Sequence, residues 1–236
     1  MAGPVFSIPD APSSIGPMPA VAIDFQPLPG AATSIAATLT GGNGGNRVAI
    51  FDDGVPRASV DMSRLTISRL AAGPAGTLFG YDSADSAYTF ASYTVSAAGV
   101  TLLASQQGLL GGFQNDIHYN GGRIYGDWGE VVDVSTPAQP VRVGKFAFTG
   151  VITTRSANRM LMLTDDPRSS GLLLRVLETD NFTQVAALPI AGEFGGPLSF
   201  GSLVYLGGDG VAFLDSDGAN RDWLYIFRAP AIAAPP

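Results

Sequence analysis

The strongest constraint on this chain is a recurrence. Apolar runs of four to seven residues, rich in Val, Ile, Leu, Phe and Tyr, are punctuated by Gly, Asp, Asn, Ser and Pro. Helical periodicity is almost absent, so the runs read as strands and the punctuation as turns. They group by fours at a spacing of about 35–50 residues, the period of propeller blades. In the clearest group, Asp116–Tyr119 is an inner strand and Asn120-Gly121-Gly122 a turn. Arg123–Trp128, Glu130–Val134 and Val141–Phe148 follow as the second, third and fourth strands.

Neighbouring groups repeat that order. One holds Val151–Arg155, Arg159–Leu163, Leu172–Leu177 and Thr183–Ile190; another holds Arg64–Leu70, Thr77–Tyr81, Tyr88–Val95 and Val100–Leu110. The first full group runs Val21–Leu28, Ser34–Thr40 and Arg47–Phe51, with a poorly defined fourth strand near Val55–Val60. The last offers Leu203–Leu206, Val211–Leu214 and Trp223–Phe227, then stops. The expected fold is all-β: a β-propeller of about five four-stranded antiparallel blades, one domain over residues 1–230. Residues 231–236 read as a frayed tail. Pro4–Ile8 is an orphan strand. Either it completes the last blade and removes the exposed sheet edges, or the chain is an open arc with two apolar end faces.

Composition narrows the function classes. Gly 30 and Pro 17 in 236 residues, with 46% hydrophobic residues, mean frequent turns around a buried core. The net charge is −7 and Lys145 is the one lysine, so no basic patch exists to track phosphates and nucleic acid is not an expected partner. No apolar run approaches the ~20 residues of a membrane helix, which argues against membrane insertion. Cysteine is absent, which removes disulfides, thiolate metal sites and cysteine nucleophiles. Met1-Ala2-Gly3-Pro4 has no charged region or long apolar run and does not read as a signal peptide.

Several segments carry a resemblance: Val48–Val55 (VAIFDDGV), Leu78–Tyr81 (LFGY), Gly108–Phe113 (GLLGGF), Asp116–Tyr125 (DIHYNGGRIY) and Val185–Ile190 (VAALPI). With the four-strand repeat they resemble bacterial propeller proteins with YVTN-like repeats, over residues 20–228. The resemblance implies a propeller and an extracellular, periplasmic or cell-surface setting. It implies no single function, since such propellers host hydrolases, lyases, oxidoreductases and binding scaffolds. The chain is about two blades short of the seven-bladed members.

His118, the sole histidine, lies on an expected inner strand two residues from Asp116, so both point to one face. That places an acid–base pair near the channel of a propeller; the plainer role is a hydrogen bond to the next blade. No GxSxG elbow accompanies the histidine. Asp52-Asp53-Gly54, Asp165-Asp166 and Asp215-Ser216-Asp217-Gly218 offer hard oxygens for calcium, but Asp and Gly are also the residues of hairpin turns, and a bidentate glutamate at the twelfth position of the third is missing. Gly41–Asn46 lacks the Lys-Ser/Thr of a phosphate loop and reads as a turn. Among the aromatics, Trp128, in Gly126-Asp127-Trp128-Gly129, sits at a turn where it can stack on a ligand. Tyr119 and Asp127 join it as candidate ligand residues. Asn181-Phe182-Thr183 matches the glycosylation pattern at a length that chance produces.

Few titratable groups and no cofactor or metal motif favour a non-catalytic scaffold or binding module for a protein or glycan partner. The alternatives are a lactonase- or lyase-like enzyme using His118 and Asp116, and a propeller fragment that self-associates.

Overall fold

The computed structural model describes residues 20–40, 46–61, 63–169, 171–190, 202–216 and 222–233. Five antiparallel sheets follow one another along the chain. The first orders Ala22–Pro27 (β1), Ser34–Leu39 (β2), Arg47–Asp52 (β3) and Val55–Pro56 (β4). The second orders Arg69–Ala72 (β5), Thr77–Tyr81 (β6), Thr89–Ser96 (β7) and Gly99–Gln107 (β8). The third contains Ile117–Asn120 (β9), Arg123–Gly126 (β10), Glu130–Asp133 (β11) and Val141–Lys145 (β12). The fourth contains Val151–Ser156 (β13), Arg159–Asp165 (β14), Leu172–Glu178 (β15) and Thr183–Ile190 (β16). The fifth has three strands among the described residues: Leu203–Gly207 (β17), Gly210–Ser216 (β18) and Asp222–Arg228 (β19). Each sheet is an up-and-down meander in chain order, the order of a propeller blade.

The chain divides into two compact units. One comprises Met1–Ile124 and Val132–Val143, the other Tyr125–Val131 and Gly144–Pro236, so β10 to β12 contribute residues to both. In the first unit the second sheet is buried on both faces. Phe79, Tyr81 and Phe90 enter one cluster with Ile117, Ile124 and Val132; Leu78, Ala91 and Tyr93 enter another with Ala36, Val48 and Ile50. In the second unit β14 divides likewise: Met160 and Met162 pack with Tyr125, Phe146 and Ile152, and Leu161 and Leu163 with Leu174, Val211 and Phe213. This is why LFGY and MLML are unbroken apolar runs rather than alternating ones. Each fully buried aromatic or aliphatic side chain contributes about 1.5–3 kcal/mol.

Three details depart from the sequence reading. The strand expected from Arg64 begins only at Arg69, because Arg64 is left-handed (φ 63°) and cannot continue an extended run. The weak fourth strand of the first group is the two-residue β4, although Asp61 N–H still donates to Val48 O at 2.9 Å beyond it. The expected tail instead starts as one helical turn, Pro230–Ala233 (α1), because Ile232 has a pocket to fill: it is buried with Ala229 in the core of the second unit. Pro4–Ile8, Gly41–Gly45 and Asp217-Gly218 lie outside the described residues.

Candidate functional site

In the first unit β1 lies beside β5, and β5 beside β9. Asp24 on β1 accepts the Leu70 N–H of β5 through Oδ2 at 2.7 Å and the Phe25 N–H through Oδ1 at 2.8 Å. Arg69, at the start of β5, places Nε 4.0 Å from Asp116 Oδ1, at the entry to β9. Burial pushes the Asp24 carboxyl up despite the Leu70 N–H, and the Asp116 charge adds to the rise. The three adjacent strands therefore carry a carboxyl–guanidinium–carboxylate series. Ile117 and Tyr119 turn to the core, Tyr119 stacking on Phe79 at 5.9 Å and accepting the Gly122 N–H at 3.1 Å. Asp116 and the half-buried His118 occupy the alternate positions.

A second cluster lies at one end of the same unit. The register Arg69↔Tyr81 puts the connection entering β5 and the one leaving β6 at the same end. Thr89↔Gln107 brings the connection leaving β8 there too. Thr66 Oγ1 bonds Asp82 Oδ2 and lies 2.8 Å from Asp85 Oδ2. One hydroxyl hydrogen cannot serve two carboxylates, so the group is suited to holding a further proton. Burial pushes Asp82 up, while its bond to Asp85 holds Asp85 down. Asp82 Oδ1 also accepts the N–H groups of Ala84 and Asp85, fixing the loop.

On that loop Tyr88 meets Phe113 of the next connection edge-to-face, ring centres 5.3 Å apart, and Phe113 is 51% exposed. Gln114 N–H donates to Ser83 O at 3.0 Å and ties the two connections together. Three of the five described non-glycine residues with positive φ lie in these connections: Arg64 (63°), Tyr88 (47°) and Gln114 (57°). Left-handed backbone at side chains this large costs about 1–3 kcal/mol each and is found where surrounding structure holds a functional surface. Sequence reasoning passed over Tyr88 and Phe113, which are brought together by the pairing of the second sheet and by bonds between the two connections. The signal it had was an aromatic directly after Gly111-Gly112.

In the second unit Asp127 is buried, and Oδ1 accepts the Ile152 N–H of β13 at 3.0 Å. Beside it, Trp128 is 39% exposed on its turn. The structure thus places Asp116 at the entry to β9 and His118 on it at alternate positions, Tyr119 on the strand's core-facing side, and Asp127 with Trp128 on the β10–β11 turn. Of the acidic turns, Asp52 bonds Arg57 and Asp166 bonds Ser169 and the Arg168 N–H, each within its own loop. No three His, Asp or Glu side chains among the described residues converge on a metal position, and no described helix is long and apolar enough to cross a membrane.

The second unit has one more surface. Val204, Leu214, Leu224 and Ile226 are exposed, and the pairings Val204↔Ala212↔Ile226 and Leu214↔Leu224 put them on a single face of the fifth sheet; Leu206, also exposed, lies at the register shift of β17. A groove of about 500 Å³ lined by Leu206, Asp209, Ile226 and Arg228 adjoins it.

No family model matches the sequence, and no curated protein matches it. Solved structures do. The chain is similar to the Dos1 propeller, with TM-score 0.60, 12% identity, and 93% of this chain and 59% of that one covered. It is similar to hydrazine synthase of Kuenenia stuttgartiensis, with TM-score 0.56, 12% identity and coverage of 78% and 53%. It is also similar to BamB from Moraxella catarrhalis, with TM-score 0.53, 11% identity and coverage of 89% and 67%. The chain spans 53% and 59% of the length of the first two. At such identities the likeness carries the fold and no activity: the fold is a β-propeller of five blades.

Proposed function

We propose that this β-propeller is a non-catalytic binding module that takes a protein or glycan partner on the end of the first unit carrying Tyr88 and Phe113. It would act outside the cytoplasm, as the resemblance to exported YVTN-like propellers suggests. The observation that carries the reading is the exposed Phe113 ring, set edge-to-face on the partly buried Tyr88 by connections that hold Tyr88 and Gln114 in left-handed backbone. An aromatic surface fixed in advance loses little freedom when it stacks on a sugar ring or a partner's side chain. Gln114 and Asp85 border it with hydrogen-bonding groups. Trp128 is the corresponding candidate in the second unit.

The test is to probe the chain and its F113A variant against a glycan array and a random-peptide display library. Ligands retained by the parent and lost by F113A support the site. Ligands that bind both equally, or no ligand in either format, would overturn it.

The apolar face of β17–β19 favours a second reading, self-association. Contiguous exposed apolar patches of more than a few hundred Å² mark contact surfaces. Light scattering over a wide concentration range checks it: a rise in mass that I226K abolishes supports association, and a concentration-independent 24.3 kDa monomer removes it.

A further inference from the structure

Buried charges in proteins are normally paired with an opposite charge, because taking an ion out of water costs several kcal/mol. Arg175, in the middle of β15, is 8% exposed. Its guanidinium is held on three sides by neutral groups. It lies over the Phe148 ring, 3.8 Å from the centroid. Its Nε donates to Thr164 Oγ1 at 3.0 Å, and Nη1 donates to Gln184 Oε1. No carboxylate among the described residues lies within ion-pair distance of it. Asp166 acts on it only through its field, since that carboxylate is taken up by Arg168 N–H and Ser169 Oγ in its own turn.

Nη2 is left over. It has no partner among the described residues, yet it is not sealed from solvent as Arg47 Nη2 is. Arg175 is therefore a cation held by its Nε–H and one Nη1–H, with both Nη2 hydrogens uncommitted. We propose that Arg175 anchors an anion site in the second unit, taking a carboxylate group of a ligand or partner on its Nη2. An Nη2–H donating to a carboxylate oxygen makes a short, charge-assisted hydrogen bond. The bonds to Thr164 and Gln184 hold the guanidinium in place, so little ordering remains to be done on binding. This site is independent of the Tyr88–Phe113 surface of the first unit, and either can fail without the other.

The test follows the Arg175 Nε–H resonance of the whole chain while sodium acetate replaces sodium chloride at constant ionic strength. The expected result is a saturable displacement, half-complete at about tenfold lower concentration than any chloride effect, with Arg168 in its exposed turn unmoved. An Arg175 resonance that responds to acetate no differently from chloride would overturn the proposal. As a second check, acetate should raise the melting temperature of the parent and of R168Q but not of R175M. R175M is expected to fold, because the Thr164 hydroxyl keeps its bond to Asp165 O and the exposed Gln184 can turn to water. An acetate effect that persists in R175M would also overturn it.

Discussion

Asp127 Oδ1 accepts the backbone N–H of Ile152 at 3.0 Å, and Asp127 O accepts that of Gly150 at 2.8 Å. A side chain on the β10–β11 turn thereby fixes the start of β13. Asp24 does the same for Leu70 in the first unit. These carboxylates stand where a blade strand would otherwise leave a buried donor unmet. Replacing Asp127 by Ala should destabilise the protein by about 1–3 kcal/mol, the cost of a buried unsatisfied group, while D127N should lose less. Denaturant unfolding of the two variants checks this.

Asp52 titrates in a defined window. The Arg57 guanidinium, at 2.8 Å, and the Ser34 hydroxyl hold its carboxyl at about 2, below the ordinary 3.8. The folded value lies below the unfolded one, so the pair's contribution is present above about pH 4 and is lost as pH falls through about 2. The pair is partly exposed and screened, so the effect on stability is small. R57M should return the Asp52 titration toward 3.8, read from its side-chain carboxyl resonance. An unchanged midpoint would contradict the pairing.

Glycine at 129 is required twice over. Its φ is +90°, and a Cβ there would meet Phe148 O at 2.6 Å and Phe146 O at 2.9 Å. Gly208, with φ +58°, has nothing within 4 Å of a Cβ. G129A should cost about 1–3 kcal/mol or more, and G208A about 1 kcal/mol. Thermal melts compare them, and Trp128 fluorescence reports whether the neighbouring turn has moved.

The blades were legible because sheets buried on both faces need unbroken apolar strands: LFGY in β6 and RMLMLTD in β14 have no other use in a chain this short of charge. Strand ends were less legible. Arg64 looks like a strand residue until its backbone turns left-handed, and Ile232 looks like tail until a pocket receives it. Asp116, at the entry to β9, and His118 and Tyr119 on it could be placed from the period-two pattern, being consecutive along one run of chain. Tyr88 and Phe113 could not, being 25 positions apart and joined through tertiary contacts of the second sheet and its connections. Arg175 left a trace, a single charge inside Leu172–Leu177, but a sequence cannot say whether such a charge meets a carboxylate or, as here, an aromatic ring and two neutral oxygens.

The central proposal is that the Tyr88–Phe113 surface binds a partner rather than supporting chemistry on β9. The most direct measurement is the dissociation constant of the tightest glycan or peptide recovered from the screen, for the parent, F113A and H118Q, with the ligand checked for turnover. The account predicts a loss of about tenfold or more in F113A, as expected when a central aromatic contact is removed, with H118Q unchanged and the ligand recovered intact. Unchanged binding in F113A, or turnover of the ligand that H118Q abolishes, would contradict it.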